Sequence, residues 1–446
     1  MKGFIETLKN IFKIEELRNK ILLTLGLILI YRIGSFIVLP GVNLAALNAA
    51  TASGGGGGIA DLISLFTGGA FTRASIFALG IMPYISASII MQLLGIAVPS
   101  VQKMQKEGES GRKKINQITR VLTIGLTLLQ APSYLAATVV SVPGAVADPS
   151  ILWWTTSIIL LISGTLFVMW LGERITEKGI GNGISLLIMI GIIAQFPSSF
   201  FTEVVSQMGT AGGGLILLLL EIVVLLLVIA ACVALVQAVR RIPVQFAKRV
   251  VGNKQYGGVR QYLPIKVNAA GVMPIIFAQA LMFVPYYVAQ AVNPESTFFA
   301  NWGIDGFWYN VTFFILVVVF TYFYTAITVN PNQMADDLKR NGGFIPGIKP
   351  GRKTTEFLDE ILSRVTLPGA IFLGLIAILP AFAMGAGVKQ GFALFYGGTS
   401  LLIMVGVVLD TLQQIESHLI SRHYDGLMKS GSIRGKGGNS FYGMAG

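Results

Sequence analysis

Few residues in this chain are of types that do chemistry. His418 and His423 are its two histidines, and they stand five apart, so they do not share a helix face. They follow the last apolar stretch in a basic region, where solvated side chains are the expectation. No HExxH pair for zinc occurs. Gly342 and Gly347 have the spacing of a phosphate loop, but Ile348-Lys349 follows them where Lys-Ser/Thr is needed. Gly179-Ile180-Gly181-Asn182-Gly183 lacks the strand that must precede a dinucleotide site, so a tight interhelical turn is the plainer reading. The single cysteine, Cys232, lies in an apolar run and reads as a packed small hydrophobe, which leaves no disulfide framework. Proton relays and ion-coupled transporters need ionisable groups at the bilayer midplane. Only Arg32, Glu221 and Asp410 fall within apolar spans, and Asp410 is near an end. Glu221 reads as a structural or cavity-facing group. With no acid–base, nucleophile or metal constellation, neither an enzyme nor a cofactor is expected.

Two apolar patterns remain. The stretch Ile76–Leu94 has nineteen residues and no charge. At about 1.5 Å per residue it is long enough for a bilayer core of about 30 Å. Ile81 and Ile85 share one face of it, and Pro83 between them is expected to loosen or kink the helix. Further isoleucines stand at the centres of other spans: Ile188, Ile276 and Ile403. Plain packing and a dewetted constriction are both open for them. Just upstream lies a shorter apolar piece, Ile59–Phe66, fenced by Gly54–Gly58 and Gly68-Gly69. It makes only about 12 Å of helix, too short to cross. At membrane depth such a half-helix must be buried in protein or line a water-filled cavity. It reads either as a mobile stopper or as a re-entrant decoration.

The elements that would position these residues are membrane spans. The chain has 446 residues, 54% hydrophobic and 12% charged, with a mean hydropathy of +0.72. A soluble chain carries roughly twice that charge. No cleavable signal peptide is expected. Residues 1–20 have amphipathic spacing and suggest an interfacial helix. Ten spans are expected, near 21–39, 76–97, 118–139, 151–171, 184–200, 215–239, 269–292, 309–329, 365–384 and 395–412. Loop charge supports the count. Lys and Arg number five in residues 1–20, six from Lys103 to Arg120 and two at Arg174 and Lys178. They number seven over Arg240–Lys266, six from Lys339 to Arg364 and four from Arg422 onward. The alternate loops hold only Arg73 and Lys389. That asymmetry sets both termini and the basic loops in the cytoplasm. Five spans plus five is the condition for an inverted repeat. A 27-residue projection carrying seven positive charges exceeds what anchoring needs and suits an acidic partner. It reads as a hairpin, with strands over Val244–Val251 and Val259–Ile265. Residues 429–446 read as a Gly-rich basic tail.

Six segments then resemble the SecY family in order. They are FTRASIFALGIMPYISASIIMQLL at Phe71–Leu94, KEGESGRKK at Lys106–Lys114, WLGERITEKGIGNGIS at Trp170–Ser185, LPIKVNAAGVMP at Leu263–Pro274, FIPGIKPG at Phe344–Gly351 and YGGTSLLI at Tyr396–Ile403. The resemblance implies an all-α polytopic membrane protein: ten helices as two inverted five-helix halves, 21–200 and 201–428, around a pore. It implies a pore ring of Ile81, Ile85, Ile188, Ile276 and Ile403. It implies a plug over 59–72, with Ile59, Leu62, Ile63, Leu65, Phe66 and Thr72, on the external side of the ring. The second and seventh spans resemble a lateral gate, flanked by the third and eighth. Loops 240–266 and 330–364 resemble docking prongs, with Arg240, Arg241, Lys248, Arg249, Lys254, Arg260, Lys349, Arg352 and Lys353. The implied partners are the small subunits SecE and SecG, the SecA ATPase, the ribosome, nascent chains and lipid. The implied place is the bacterial plasma (inner) membrane, and the implied function is conduction of unfolded secretory polypeptides with lateral release of apolar segments.

Two departures stand out. Lys349 occupies a tip position where the family usually has arginine; it keeps the charge and loses the planar fork. The loop Asn43–Gly58 is unusually glycine-rich. The competing class is an inverted-repeat transporter of a small solute, against which the scarcity of embedded charge argues.

Overall fold

The computed structural model describes residues 14–52, 59–146, 148–209, 214–246, 249–251, 254–256, 260–279, 281–282 and 306–429. The interfacial helix expected over 1–20, the tail beyond residue 429 and the later part of the expected seventh span lie largely outside them. The helices of the first half are α1 (Glu15–Gly34), α2 (Leu44–Ala52), α3 (Ile59–Thr67), α4 (Met82–Ala97), α5 (Pro99–Lys106), α6 (Glu109–Tyr134), α7 (Ile151–Lys178) and α8 (Gly183–Met208). A π-helical turn, Leu135–Val140, continues α6 beyond Pro132. Then come α9 (Gly214–Gln237), strands β1 (Val239–Phe246), β2 (Arg249–Val251), β3 (Lys254–Tyr256) and β4 (Arg260–Lys266), and the helical residues 273–279 and 281–282. The chain continues through α10 (Phe307–Thr328), α11 (Pro331–Arg340), β5 (Gly343–Phe344), α12 (Arg352–Gly385), α13 (Gln390–Ala393) and α14 (Gly398–Lys429).

Among the described residues seven helices are long and apolar enough to cross a membrane, or eight if α4 and α5, bent by 103° at Pro99, are one broken span. α9 displays the logic of the rest. Glu221, Leu225, Val228, Cys232 and Leu235 recur every three or four residues and are buried, while Leu215, Ile216, Leu226 and Leu227 are exposed. An apolar helix with an exposed apolar face has lipid for a neighbour. In α6, Thr119, Thr123 and Thr127 form a buried stripe, each hydroxyl donating to the carbonyl four residues back. Such small residues let helices approach closely.

The expected helix over Ile76–Leu94 starts only at Met82. Upstream of it Ile76 N donates to Ile37 O at 2.9 Å, and Leu39 N donates to Ala74 O at 2.9 Å. The segment therefore satisfies its backbone against the chain leaving α1. Pro83 falls in the first turn, where its missing N–H costs nothing, so it starts the helix and does not kink it. The fifth span runs on to Met208 and takes in Glu203, a buried carboxylate that the shorter expected span left out.

The two long basic loops also differ from expectation. β1 begins at Val239, a residue assigned to the sixth span, and pairs antiparallel with β4 from Val239↔Lys266 to Gln245↔Arg260. β2 and β3 form a separate ladder at the tip. β5, from the other loop, adds to β1 at Gln245 and Phe246, giving the order β4-β1-β5. β5 is too short to reach Pro243, which sits on an open edge as a strand proline must. Beneath this sheet Ile242, Val244, Ile265, Ala335, Ile345, Leu358 and Leu362 form one buried cluster. The two prongs are thus a single platform. Leu358 is fully buried there, and Leu358→Ala is expected to weaken the platform by about 2–5 kcal/mol. Limited trypsin digestion is then expected to cut both loops faster together. Faster cutting of one loop alone would show that they fold separately.

Candidate functional site

The five span-centre isoleucines meet in one place. Ile81, Ile188 and Ile403 are buried members of a single cluster, and Ile85 and Ile276 pack against it. They arrive from four elements: the start of α4, α8, the helical residues 273–279 and α14. Ile81 caps α4 and its carbonyl takes Ile85 N at 3.1 Å, which keeps the two isoleucines one turn apart. Leu65 and Phe66 of α3 belong to the same cluster. A cavity of about 470 Å³ adjoins it, lined by Ile63, Phe66, Ile85, Ile188, Ile276 and Ile403 among others. The structure thus brings together all five isoleucines and the described face of the short helix.

The helix of the expected plug, 59–72, ends at Thr67, and residues 68–72 are turn. The end is set by Gly68 and Gly69, both at positive φ (65° and 82°). Gly69 N donates to Ser64 O at 2.8 Å and Gly68 N to Leu65 O at 3.3 Å, a paired closure that left-handed glycine allows. Ile59 and Leu62 lie in α3, but their side chains are outside the described residues. Thr72 returns to the helix, its hydroxyl 3.3 Å from that of Ser64.

Polar side chains then latch the helix in place. Gln195 Nε2 donates to Ser64 O at 2.7 Å and lies 3.1 Å from its hydroxyl. Tyr134 OH donates to Phe71 O at 2.7 Å. Arg32 Nη1 and Arg73 Nη2 both donate to Gly68 O, at 3.3 and 3.0 Å. Gly191 of α8 lies directly under the carbonyl of Phe66, where any Cβ would collide. Gly191 and Gln195, four apart on one face of α8, went unnoticed in the sequence; a lone amide one turn from a glycine in an apolar span was the signal. Also missed was Thr399 Oγ1, which donates to Gln279 Oε1 at 2.5 Å and ties α14 to 273–279 beside Ile276 and Ile403.

Glu221 stands away from this cluster. Gln207 Nε2 donates to Glu203 Oε1 at 2.9 Å and to Glu221 Oε1 at 3.1 Å, and Lys389 N donates to Glu203 Oε2 at 3.0 Å. The group joins α8, α9 and the turn before α13, which is the structural role expected of Glu221.

The basic residues divide. Arg240 and Arg241 are exposed on β1, and Lys349, Arg352 and Lys353 are exposed at the turn into α12. Arg249, Lys254 and Arg260 lie in β2, β3 and β4, with side chains outside the described residues, as is the whole of Lys248. Lys349 is fixed through its carbonyl, which accepts from Thr354 Oγ1 at 3.0 Å. Lys353 and Arg352 reach Glu356 at 2.9 and 3.3 Å. The Lys353 hydrogen bond, with both positive charges, holds the exposed Glu356 carboxyl below its ordinary pKa. Glu356 is thus a fixed negative charge among them; across 240–266 and 330–364 thirteen Lys and Arg outnumber five Asp and Glu, so the platform is basic on balance.

The chain matches the SecY family profile over residues 75–412. It is 45% identical over 435 residues to the protein translocase subunit SecY of Streptomyces galbus, covering 94% of this chain and 98% of that one. Its fold is similar to a SecY structure described as showing that the plug domain stabilises the closed state and maintains a membrane seal (TM-score 0.59, 19% identity, 90% and 92% of the two chains covered). It is also similar to the idle yeast Ssh1 complex bound to the yeast ribosome (TM-score 0.60, 15% identity, 88% and 89% covered).

The packing at Gly191 can be tested on its own. Cys232 is fully buried, so Ser64→Cys places one labelling site under α8. Adding Gly191→Val overpacks that contact at a cost of about 1–3 kcal/mol, so maleimide labelling of the residue 64 thiol is expected to quicken about tenfold. Unchanged labelling would mean that α3 does not rest on Gly191.

Proposed function

The chain belongs to the SecY family, and on that premise we propose how its isoleucine cluster, short helix and basic platform serve translocation. It is a channel-forming, multi-pass membrane subunit of the protein translocase, and not an enzyme. It conducts unfolded polypeptides across the membrane and releases apolar segments sideways into lipid. In our reading Ile81, Ile85, Ile188, Ile276 and Ile403 are the pore ring, and α3 with its following turn (59–72) is the plug. The convergence of the five isoleucines with Leu65 and Phe66 in one buried cluster carries this reading. A narrow apolar ring strips ions of hydration and so bars them when closed. Isoleucine side chains are non-directional in their packing, so they can re-form around a moving chain of any sequence.

The lateral gate is assigned to α4 and the span beginning near residue 269, flanked by α6 and α10. A segment of about 20 apolar residues gains free energy by leaving the aqueous pore for lipid, and a polar one gains nothing. We propose ten spans in two five-helix halves, 21–200 and 201–428, with both termini and the basic platform in the cytoplasm of a bacterial inner membrane; the loop-charge asymmetry supports this. The exposed Arg240, Arg241, Lys349, Arg352 and Lys353, together with Lys248, Arg249, Lys254 and Arg260, are the docking residues for the ribosome or the SecA ATPase. The ribosome-bound neighbour supports the former. SecE and SecG are the proposed small membrane partners. The platform's joined loops would shift a closed–open equilibrium through differential affinity for the two states.

The deciding experiment is protease protection of a secretory precursor. The chain is reconstituted with SecE and SecG in liposomes, with SecA and ATP outside. Full-length precursor is expected to be protected, and protection to vanish without ATP. No protection beside an active motor would sink the reading. In the same vesicles Ile188→Ser with Ile403→Ser is expected to raise ion leak before any precursor is added; wild-type leak would count against the ring.

A further inference from the structure

We propose that Glu203 and Glu221 bind a single proton between them, carried on Glu221 Oε2 and donated to Tyr396 Oη. The two carboxylates are crowded onto one amide. Gln207 Nε2 gives one N–H to Glu203 Oε1 at 2.9 Å and the other to Glu221 Oε1 at 3.1 Å. Glu203 Oε2 accepts Lys389 N at 3.0 Å. The remaining carboxylate oxygen, Glu221 Oε2, is buried without a hydrogen-bond partner, and so is Tyr396 Oη. Tyr396 is 4% exposed and lies within electrostatic reach of both Glu221 and Glu203. The two orphan oxygens therefore belong to one site.

The charge count decides what fills that site. Glu203 and Glu221 are 0% and 5% exposed. Tyr396 belongs to an apolar cluster with Leu225, Val388 and Phe392, against which Phe200 packs. Among the described residues neither carboxylate is in an ion pair. Lys389 is exposed and reaches Glu203 through its backbone N–H. α12 brings Ala383 and Met384 to the cluster, neither of them titratable. The first charged residue of α14 is Asp410, about three turns from its start. Two buried anions without a cation are costly, and such a pair relieves itself by taking up one proton. The phenol's own proton could bridge the orphan oxygens, but both charges would stay. A metal ion fits poorly. Among the described residues no three His, Cys, Asp or Glu side chains gather to hold one, and two carboxylates with a phenol fall short of the roughly six oxygens that calcium or magnesium takes. One added proton removes a charge and gives both orphans a partner, with Glu221 Oε2 as donor and Tyr396 Oη as acceptor.

The site lies at a joint. The end of α8 meets the start of α9 there, with Gly214 against the Gln207 carbonyl, where any Cβ would collide. In the division proposed above, α8 is the fifth span and α9 the sixth, so the proton sits where the two halves join. In the proposed orientation this is the external side, away from the basic platform, though proton binding itself does not depend on that orientation. With the proton bound, α8, α9 and the chain at 389–396 are held together. Without it, two anions oppose each other across one amide. The protonated form is the one the folded packing favours, so the joint is held at low pH and loosens as pH rises.

The test is infrared spectroscopy of the full chain in lipid nanodiscs, with wild type compared to Glu221→Gln. Ordinary carboxyls are ionised at about pH 7, so wild type is expected to show there one deuterium-sensitive band of a protonated carboxylic acid that Glu221→Gln lacks. The band is expected to fade as pH is raised. Glu203→Gln removes the neighbouring charge and is expected to weaken proton binding about tenfold, so that the band fades about one pH unit lower. Should Glu221→Gln fail to fold, that shift decides alone. Glu221→Gln otherwise mimics the protonated form, so the melting temperature of wild type is expected to fall more steeply than that of the variant between about pH 7 and about pH 9. No such band in wild type at about pH 7, the same fading in wild type and Glu203→Gln, or equally steep loss of melting temperature would each overturn the proposal.

Discussion

A helix too short to cross the membrane must have its end groups satisfied by protein, and most of the site follows from that constraint. α3 has nine residues. Ser64 O takes both Gly69 N and Gln195 Nε2, and Gly68 O takes the two arginines. Each buried carbonyl left without a donor would cost about 1–3 kcal/mol. Those donors in turn dictate their surroundings. Gly68 and Gly69 must be glycine for the turn and for the guanidiniums, Gly191 must be small for the helix to seat, and Gln195 must stand one turn beyond it. Moving α3 away exposes these groups together, so displacement is cheap only where water can replace the lost partners. If α3 is the plug, as proposed, opening and hydration of the pathway are therefore one event.

In the proposed reading, the isoleucine ring and the polar latches divide the work. The isoleucines supply non-directional contact, which as a ring would seal without specifying a partner. The hydrogen bonds are directional and set where the short helix rests. Neither set would suffice alone. Without latches, α3 is a mobile apolar peptide beside a larger apolar cavity. Without the ring, its polar end would face water along an open path.

Sequence patterns carried the long elements well and the close contacts poorly. Span centres were legible because apolar runs of that length have one common explanation. The short helix was legible from its length and its glycine fences. The isoleucines could be singled out but not joined, since Ile81 and Ile403 meet only through the packing of four elements. The start of α4 was misplaced because Ile76–Ile81 is as apolar as the helix it precedes, and its pairing with 37–39 leaves no compositional trace. Pro83 carried the right information under the wrong interpretation, as a first-turn residue and not a kink. Glu203 escaped because the fifth span was cut short at Phe200. The β1–β5 pairing was invisible for a different reason: two residues of strand, contributed by a loop nearly a hundred positions away, have no period to detect.

That pairing changes how force could travel. β1 starts one residue after α9 ends, and Ala238 between them accepts Val267 N at 2.9 Å, which closes the base of the projection. On the other loop Gly351 immediately precedes α12. The basic surface is therefore joined to two long apolar helices without a flexible linker. A partner that gripped only one loose loop could bind tightly in every state of the channel and shift nothing. One that grips a platform fixed to both helices meets a surface whose shape changes whenever those helices move. In the proposed reading differential affinity then needs no separate transmission device, because the joined loops connect directly to α9 and α12.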